Sequence, residues 1–223
     1  MKKGKIIVIE GADGSGKQLQ SQLLFKAFED RGEKVKLQSF PNYQSASSAP
    51  VKMYLGGELS ASANEIDAYQ SSVLFAVDRL CTMKQLEKFI KDGGTLILDR
   101  YVQSNMFHQA CKITDEKECD KFLDWIDNFE FGLLKLPKPD VVFFLDVPPQ
   151  VSKKLREERN INKNGQKTDI HETDQDHLIK AYNTGIKVSE RFGWQKIHCV
   201  DNNNNIESPN TIHKKIMEIV NKI

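Results

Sequence analysis

The sequence lacks the features that mark membrane proteins, secreted proteins and nucleic-acid-binding proteins. No apolar run approaches the roughly 20 residues that cross a bilayer, and the basic residues 1–5 precede an apolar run that ends at Glu10, too short for a signal peptide. The 32 Lys and Arg residues balance 31 Asp and Glu residues, which argues against a broad basic face for nucleic acid. We expect a soluble, cytoplasmic protein with no nucleic-acid or membrane partner.

Cysteine is also scarce. The chain has 223 residues and four cysteines, with no CxxC pair; they are Cys81, Cys111, Cys119 and Cys199. This pattern predicts reduced thiols that serve packing rather than disulfides or a zinc site. No internal repeat is present, and the length favours one domain over residues 1–223.

Glycines are concentrated in one stretch, GADGSGK at residues 11–17, directly after the apolar run at 6–9. Gly11, Gly16 and Lys17 satisfy GxxxxGK, in which glycines permit the positive φ values that turn backbone N–H groups around a phosphate. The apolar run predicts a strand, and the pattern from Lys17 onward predicts a helix whose N-terminus attracts anions. This combination favours a phosphate-binding loop over an ordinary glycine-rich turn. Gln18 stands where a Ser or Thr ligand of Mg²⁺ is expected.

A second candidate site follows the apolar run at 95–98. Asp99 at a strand end can hold Mg²⁺, directly or through water, and Arg100 can bind a phosphate with two donors; a structural ion pair is the alternative. Asn105 and Gln109 are four residues apart, so they share a face if this segment is helical. Amides suit the edge of a nucleobase, although surface polarity explains them equally well.

A long helix is predicted around residues 66–91, with Ser62 and Glu65 as a capping box. Phe75 and Arg79 fall on one face of it; taken alone, they are more typical of a core residue and a solvated charge. Asp146 ends the apolar run at 141–145 and could either serve the site or cap the next helix; the cap is slightly favoured.

Residues 153–172 form a basic segment. Its cations are Lys153, Lys154, Arg156, Arg159, Lys163 and Lys167. They form either a solvated helix end or a mobile lid that closes over a triphosphate, excludes water and supplies positive charge.

Predicted strands and helices alternate along the chain. The sequence therefore predicts an α/β fold of the P-loop NTPase type, with a parallel sheet, helices on both faces and a short basic lid. The carboxyl ends of the strands would gather residues 11–17, 40–43, 99–101 and the region near 146 at one edge.

The motifs together resemble the thymidylate kinase family of P-loop nucleoside monophosphate kinases along almost the whole chain. They are EGADGSGK at 10–17, SFPNY at 39–43, LFAVDR at 74–79, LDRYVQSNMFHQ at 98–109 and LDVPP at 145–149. The resemblance implies that ATP phosphorylates dTMP to dTDP with Mg²⁺, and that the long helix forms a homodimer.

The resemblance also implies residue roles. The ATP-binding loop would comprise Gly11, Ala12, Asp13, Gly14, Ser15, Gly16, Lys17 and Gln18. Substrate contacts would come from Asp13, Phe40, Phe75, Arg79, Arg100, Ser104, Asn105 and Gln109. Asp13 would approach the sugar 3′-hydroxyl and Phe75 would stack on thymine, whose edge Arg79, Asn105 and Gln109 would read. The catalytic set would be Lys17, Asp99, Arg100, Arg156 and Arg159, with Asp99 at the metal.

Two departures from the family pattern leave alternatives open. Asn42 replaces an arginine expected near the acceptor phosphate, and we hypothesise that Lys52 or the lid substitutes for it. Asn42 and Gln18 keep open a nucleotide-binding regulatory protein with weakened catalysis. A related kinase with another acceptor also stays open, because the residues that would read the base edge are inferred. A GTPase is disfavoured because the sequence has no NKxD motif.

Overall fold

Residues 4–59, 65–161 and 175–223 are described by the computed structural model, with side chains up to residue 158 in the sixth helix and from residue 176 in the seventh. Five strands in these ranges form one parallel sheet in the order β2-β3-β1-β4-β5. The strands are β1 (Ile6–Gly11), β2 (Val35–Ser39), β3 (Thr95–Asp99), β4 (Val141–Asp146) and β5 (Gln195–His198).

Helices cover both faces of this sheet. Those of the described ranges are α1 (Lys17–Asp30), α2 (Ala49–Leu55), α3 (Ala68–Lys91), α4 (Val102–His108), α5 (Glu116–Asp127), α6 (Pro149–Ile161), α7 (Gln175–Arg191) and α8 (Pro209–Val220). Short 3₁₀ turns span Ala46–Ser48 and Ala110–Lys112, and a π-helical turn spans Asn128–Leu133. The predicted α/β architecture is therefore confirmed.

Alternation along β1 divides the core into two layers, because successive strand side chains point to opposite faces. Ile6 and Val8 pack with the layer that contains α4, α5 and α7. Ile7 and Ile9 pack with the layer that contains α1 and α8. A strand buried on both faces needs a continuous apolar run, which is what residues 6–9 supply.

The register of β1 places the phosphate-loop motif beside the second candidate site. Ile9 pairs with Asp99 of β3, and Gly11 pairs with Leu145 of β4. The chain turns from β1 toward β2 and β3 on one side, and β4 and β5 lie on the other. Open α/β sheets bind ligands at such a reversal, outside the carboxyl ends of the strands.

Several local expectations are wrong. The N-cap of α3 is Asp67, whose side chain accepts from the N–H of Gln70, rather than a box of Ser62 and Glu65; Ser62 lies outside the described residues. The segment at 42–49 is polar and by composition alone would be a loop, but it contains a 3₁₀ turn and leads into α2. Here the tertiary contacts of the loop override its polar composition.

Asp146 does not cap a helix. Its carboxylate accepts from the hydroxyl of Tyr182 at 2.7 Å and pairs with Nδ1 of His198 at 3.2 Å. The side chain is therefore used to join the end of β4 to α7 and β5. By contrast, Ser208 caps α8, because its hydroxyl accepts from the N–H of Thr211.

The helices of the described ranges were also compared with the length and apolar character of a membrane span. None of them meets both requirements.

Candidate functional site

A cavity of about 730 Å³ runs along the carboxyl edge of the sheet. The phosphate-loop motif and Arg100 line its middle. Phe75, Arg79 and Gln109 line one end, and Ile206, Glu207 and Pro209 line the other. The two candidate sites found in the sequence are therefore parts of one long cavity.

The loop after β1 has the geometry expected of a phosphate cradle. Gly11, Gly14 and Gly16 have φ values of 150°, 83° and 85°. A Cβ at Gly14 would lie 2.7 Å from Cγ of Arg156, so only glycine lets α6 pack this closely against the loop. Lys17 begins α1 at the loop's end.

Members of this loop differ in position. Residues 13–18 line the cavity, whereas Gly11 and Ala12 lie behind its wall. Their carbonyl oxygens accept hydrogen bonds from Nζ of Lys17 at 2.9 and 2.8 Å. Gly11 and Ala12 therefore hold the lysine rather than border the open space.

Opposite charges are concentrated beside the loop. Arg100 forms an ion pair with Asp13 and approaches Nε2 of His108 at 3.3 Å. Burial alone would raise the pKa of Asp13, but the charges of Arg100, His108 and Lys17 lower it well below its usual range. Burial and Arg100 lower the pKa of Lys17 to about 8, against the opposing effect of nearby carboxylates. In this cluster, the opposite charges of neighbouring side chains offset the cost of removing each charge from water.

Arg100 also has an unusual backbone. Its φ is 68°, in the left-handed region that side chains other than glycine rarely adopt. A strained backbone of this kind persists only where surrounding contacts hold it in place, and such positions are often found at functional sites. Asp99 lines the cavity immediately before it.

Glu10 is a site-associated residue that the sequence analysis missed. It is fully buried, and its oxygens accept from the N–H of Tyr101 and the hydroxyl of Ser104, each at 2.8 Å. Burial raises the pKa of Glu10 to about 7, although Arg100 and these hydrogen bonds oppose the rise. A charged residue at the end of an apolar strand was the available signal, since a buried charge requires partners.

Arg79 is not the solvated charge that it resembles in isolation. Its side chain is 2% exposed and donates from Nε and Nη2 to the two oxygens of Glu130, each at 2.6 Å. Asn105 is also buried and donates from Nδ2 to Glu130 at 3.2 Å. Surface polarity is therefore the wrong explanation for Asn105, and Glu130 was missed.

Gln109 is held by a second buried network. Its Oε1 accepts from the hydroxyl of Ser71 at 2.7 Å, and Ser71 accepts from Nζ of Lys112 at 3.2 Å. Lys112 also donates to the hydroxyl of Tyr54 at 3.0 Å, and burial lowers its pKa to about 8. The surface interpretation is thus wrong for Gln109 too.

Phe75 borders the same end of the cavity. Its ring packs edge-on against Tyr54, with centroids 6.0 Å apart. Phe40 is buried against Tyr101, with centroids 5.9 Å apart. Both predicted substrate residues thus lie on the cavity wall, and Ser104 joins them there.

Asn42 serves the loop and not the cavity. Its N–H donates to Asp78 at 2.7 Å and its Nδ2 donates to Thr82 at 3.2 Å, which ties residues 42–48 to α3. Lys52 is exposed on α2 and is absent from the cavity wall. The hypothesis that Lys52 replaces an arginine at position 42 is therefore not supported by the geometry.

Arg156 is the cation of the described part of the lid that reaches the cavity, where Leu155 also lines the wall. It is buried, lines the wall, and its Nη1 has no hydrogen-bond partner among the described residues. Arg159 lies in α6, where the structure describes its backbone only. Lys163 and Lys167 lie outside the described residues.

The opposite end of the cavity was also missed. Ile206, Glu207 and Pro209 line it across from Gln18. They follow β5, so the strand-end rule applied to the first four strands would have indicated them. The buried Oγ of Ser15 has no partner within the described ranges.

A glycine-rich phosphate loop at the central strand, a strand-end aspartate and an arginine in one cavity define a P-loop protein of the nucleotide-dependent phosphotransferase class. A sequence model described as Thymidylate kinase matches residues 9–215. The chain therefore belongs to the thymidylate kinase family.

Relatives and solved structures agree with this family. The thymidylate kinase of Mycobacterium tuberculosis (strain CDC 1551 / Oshkosh) is 32% identical over 76% of this chain and 78% of its own length. The probable thymidylate kinase of Thermococcus kodakarensis is 30% identical over 96% of each chain. The structure of thymidylate kinase from Candida albicans is similar in fold, with a TM-score of 0.74, 19% identity and coverage of 99% of this chain and 92% of that one.

Replacing Glu10 by glutamine should remove the part of the pH dependence of the unfolding free energy that comes from this carboxyl group. The raised pKa means that folded Glu10 keeps a proton that the unfolded chain releases between pH 4.5 and about 7. Wild-type stability should therefore fall as the pH rises through this window, by roughly 3 kcal/mol at about 1.36 kcal/mol per pKa unit.

Urea unfolding of wild type and Glu10→Gln at pH 5 and pH 8 measures this difference. The fall should be smaller in Glu10→Gln, while the exposed control Glu29→Gln should keep the wild-type fall. An equal fall in Glu10→Gln would show that Glu10 is not its source.

Proposed function

We propose that this protein catalyses ATP-dependent phosphorylation of dTMP to dTDP. The observation that carries the proposal is the single cavity that joins the phosphate loop to the buried Arg79, Asn105 and Gln109, with Arg100 between them. Phosphoryl transfer requires two bound nucleotides in line and neutralisation of the charge on the transferred group. Family membership supports the same reaction.

The acceptor is proposed to bind at the end near Phe75. The Phe75 ring would stack on the thymine, while Arg79, Asn105 and Gln109 would contact its edge. Arg100 would hold the acceptor phosphate. Asp13, already fixed by Arg100, would face the sugar 3′-hydroxyl, and Phe40 and Ser104 complete the wall.

The donor triphosphate is proposed to lie across the loop at residues 13–18, with Lys17 and the N-terminus of α1 toward its phosphates. Arg156 supplies a further cation from α6. Its Nη1 is a buried donor without a described partner, and such a group stabilises negative charge on a transferred phosphoryl group without further reorganisation.

Mg²⁺ is proposed to accompany ATP. The described residues contain no cluster of three or more His, Cys, Asp or Glu side chains that could hold a metal. Mg²⁺ keeps several waters and uses one or two carboxylates plus substrate phosphates, so Asp99 alone fits this role. When bound, Mg²⁺ would neutralise phosphate charge. Gln18 faces the same cavity as a neutral amide.

The lid is proposed to span residues 153–172 within a single domain of residues 1–223. Arg156 and Arg159 would be its catalytic arginines, with Lys163 and Lys167 behind them. Helix α6 supports this arrangement, because its packing against Gly14 brings the lid's first turns to the phosphate loop.

A homodimer and a cytoplasmic location are proposed as well. Tyr69, Val73 and Val77 form an apolar stripe on α3 that is 37 to 41% exposed, a surface that a second copy could cover. All four cysteines lie in the described ranges and none forms a disulfide there, consistent with a reducing compartment.

Light scattering should give twice the 25.5 kDa chain mass; a single-chain mass would contradict the dimer.

A coupled assay of ADP release separates the candidate functions. With dTMP, dUMP, UMP and dGMP as acceptors, we expect the highest kcat/KM with dTMP. Preference for another nucleotide would identify a related kinase. Nucleotide binding without turnover would identify a regulatory protein.

Arg156→Ala should lower kcat by about 10²–10³-fold, because it removes a donor that acts on transition-state charge. The KM for dTMP should change little, because Arg156 packs against the phosphate loop, whereas the proposed acceptor site lies at the end of the cavity near Phe75. Lys214→Ala, an exposed cation on α8 that does not line the cavity, is the control and should keep wild-type turnover. An unchanged kcat in Arg156→Ala would remove Arg156 from the catalytic set.

A further inference from the structure

Glu130 is a buried carboxylate to which the family motifs in this sequence assign no role. It is fully buried in the π-helical turn Asn128–Leu133, which directly follows α5, and lies four residues after the buried Ile126 and eight after the buried Phe122. A carboxylate on a buried apolar face is costly unless donors satisfy it. π-Helical turns also occur often at functional sites.

Three donors converge on the two oxygens of Glu130. Oε2 accepts from Nε of Arg79 at 2.6 Å. Oε1 accepts from Nη2 of Arg79 at 2.6 Å and from Nδ2 of Asn105 at 3.2 Å. Two-point binding holds the plane of the guanidinium, as a single contact would not.

The third bond and a bond to the carbonyl of Ser72 together determine which way the Asn105 amide faces. Nδ2 of Asn105 has two hydrogens, and it donates to Glu130 and to the carbonyl of Ser72 at 3.1 Å. Only Oδ1 is left to face the cavity, and it can only accept. Arg79 has no acceptor, so its remaining N–H groups can only donate.

We propose that Glu130 is a positioning residue that sets the hydrogen-bonding polarity of the base site. It holds an acceptor on Asn105 beside donors on Arg79. That pattern complements a pyrimidine with N3–H beside a carbonyl oxygen, as in thymine and uracil. It opposes cytosine, whose N3 accepts and whose amino group donates. The inference rests on the proposed function and names the chemical basis of its base selectivity.

The alternative, in which Glu130 and Arg79 form an ion pair that only stabilises the fold, does not explain the contact of Glu130 with Asn105. Buried ion pairs often contribute little net stability compared with apolar side chains of similar size. An Arg79–Glu130 pair would also need no contact with Asn105. Because Glu130 serves both cavity-lining residues at once, its arrangement matches a role in orienting them.

Glu130→Gln tests this role. The amide nitrogen of glutamine would face one of the three donors, so the variant could not hold Arg79 and Asn105 in place together. Asn105 would keep only its bond to the Ser72 carbonyl. We expect the KM for dTMP to rise about tenfold and the kcat/KM ratio of dCMP to dTMP to rise by at least about tenfold. The KM for ATP should stay within about twofold.

Asp140→Asn is the matched control. Asp140 accepts from the N–H of Ile6 at 2.8 Å, at the opposite edge of the sheet, so the same carboxylate-to-amide change should lower only the melting temperature. A folded Glu130→Gln protein with wild-type selectivity would overturn the proposal. So would an equal loss with every acceptor, because that is the signature of a structural role.

If Glu130→Gln fails to fold, Glu130→Asp replaces it, because aspartate keeps the charge but withdraws both oxygens by one methylene. A changed preference between dTMP and dCMP supports the proposal, and an unchanged one overturns it. Wild type is measured first. If it releases no ADP with dTMP, the proposed function fails by itself, and calorimetric binding of dTMP and dCMP to wild type and variant then decides the role of Glu130.

Discussion

Desolvation of charge at the carboxyl edge of the sheet is the constraint on which this site depends. Glu10, Asp13, Lys17 and Arg100 are removed from much of the solvent, and a lone buried charge costs several kcal/mol. Each is tolerable because an opposite charge or a hydrogen bond lies beside it. The register that pairs Ile9 with Asp99 makes these contacts possible. The result is a phosphate site whose charges are held in place before any ligand arrives.

The same physics operates at the base end of the cavity, and one element joins the two ends. Helix α4 begins two residues after Arg100 and contains Asn105, and Gln109 follows it directly. Arg100 faces the proposed phosphate position, whereas Asn105 and Gln109 face the proposed base position. In the proposed function, a rigid helix between them would couple recognition of the base to placement of the phosphate. The proposed role of Glu130 would then lie at the base end of this helix.

Local chemistry made much of the fold and site predictable. The run at 6–9 followed by residues 11–17 predicts strand, phosphate loop and helix, since hydrophobic period and glycine positions are local properties. Periodicity also predicts α3, but it does not say which face is buried. The exposed face carries Val73 and Val77, while the buried face carries Ser71 and Arg79. Polar residues were judged by composition alone, and so their burial was missed.

The sequence by itself determined the strand–loop–helix units, the α/β class and the family, because these depend on residues close together in the chain or on motifs carried by them. Only the tertiary structure decided the partners of the charged side chains. Arg79 meets Glu130 from 51 positions away, and Arg100 meets Asp13 from 87 positions away. Such contacts arise where separate elements pack, and burial then makes each partner obligatory. The sequence contains both members of each pair, but only the packing brings them together.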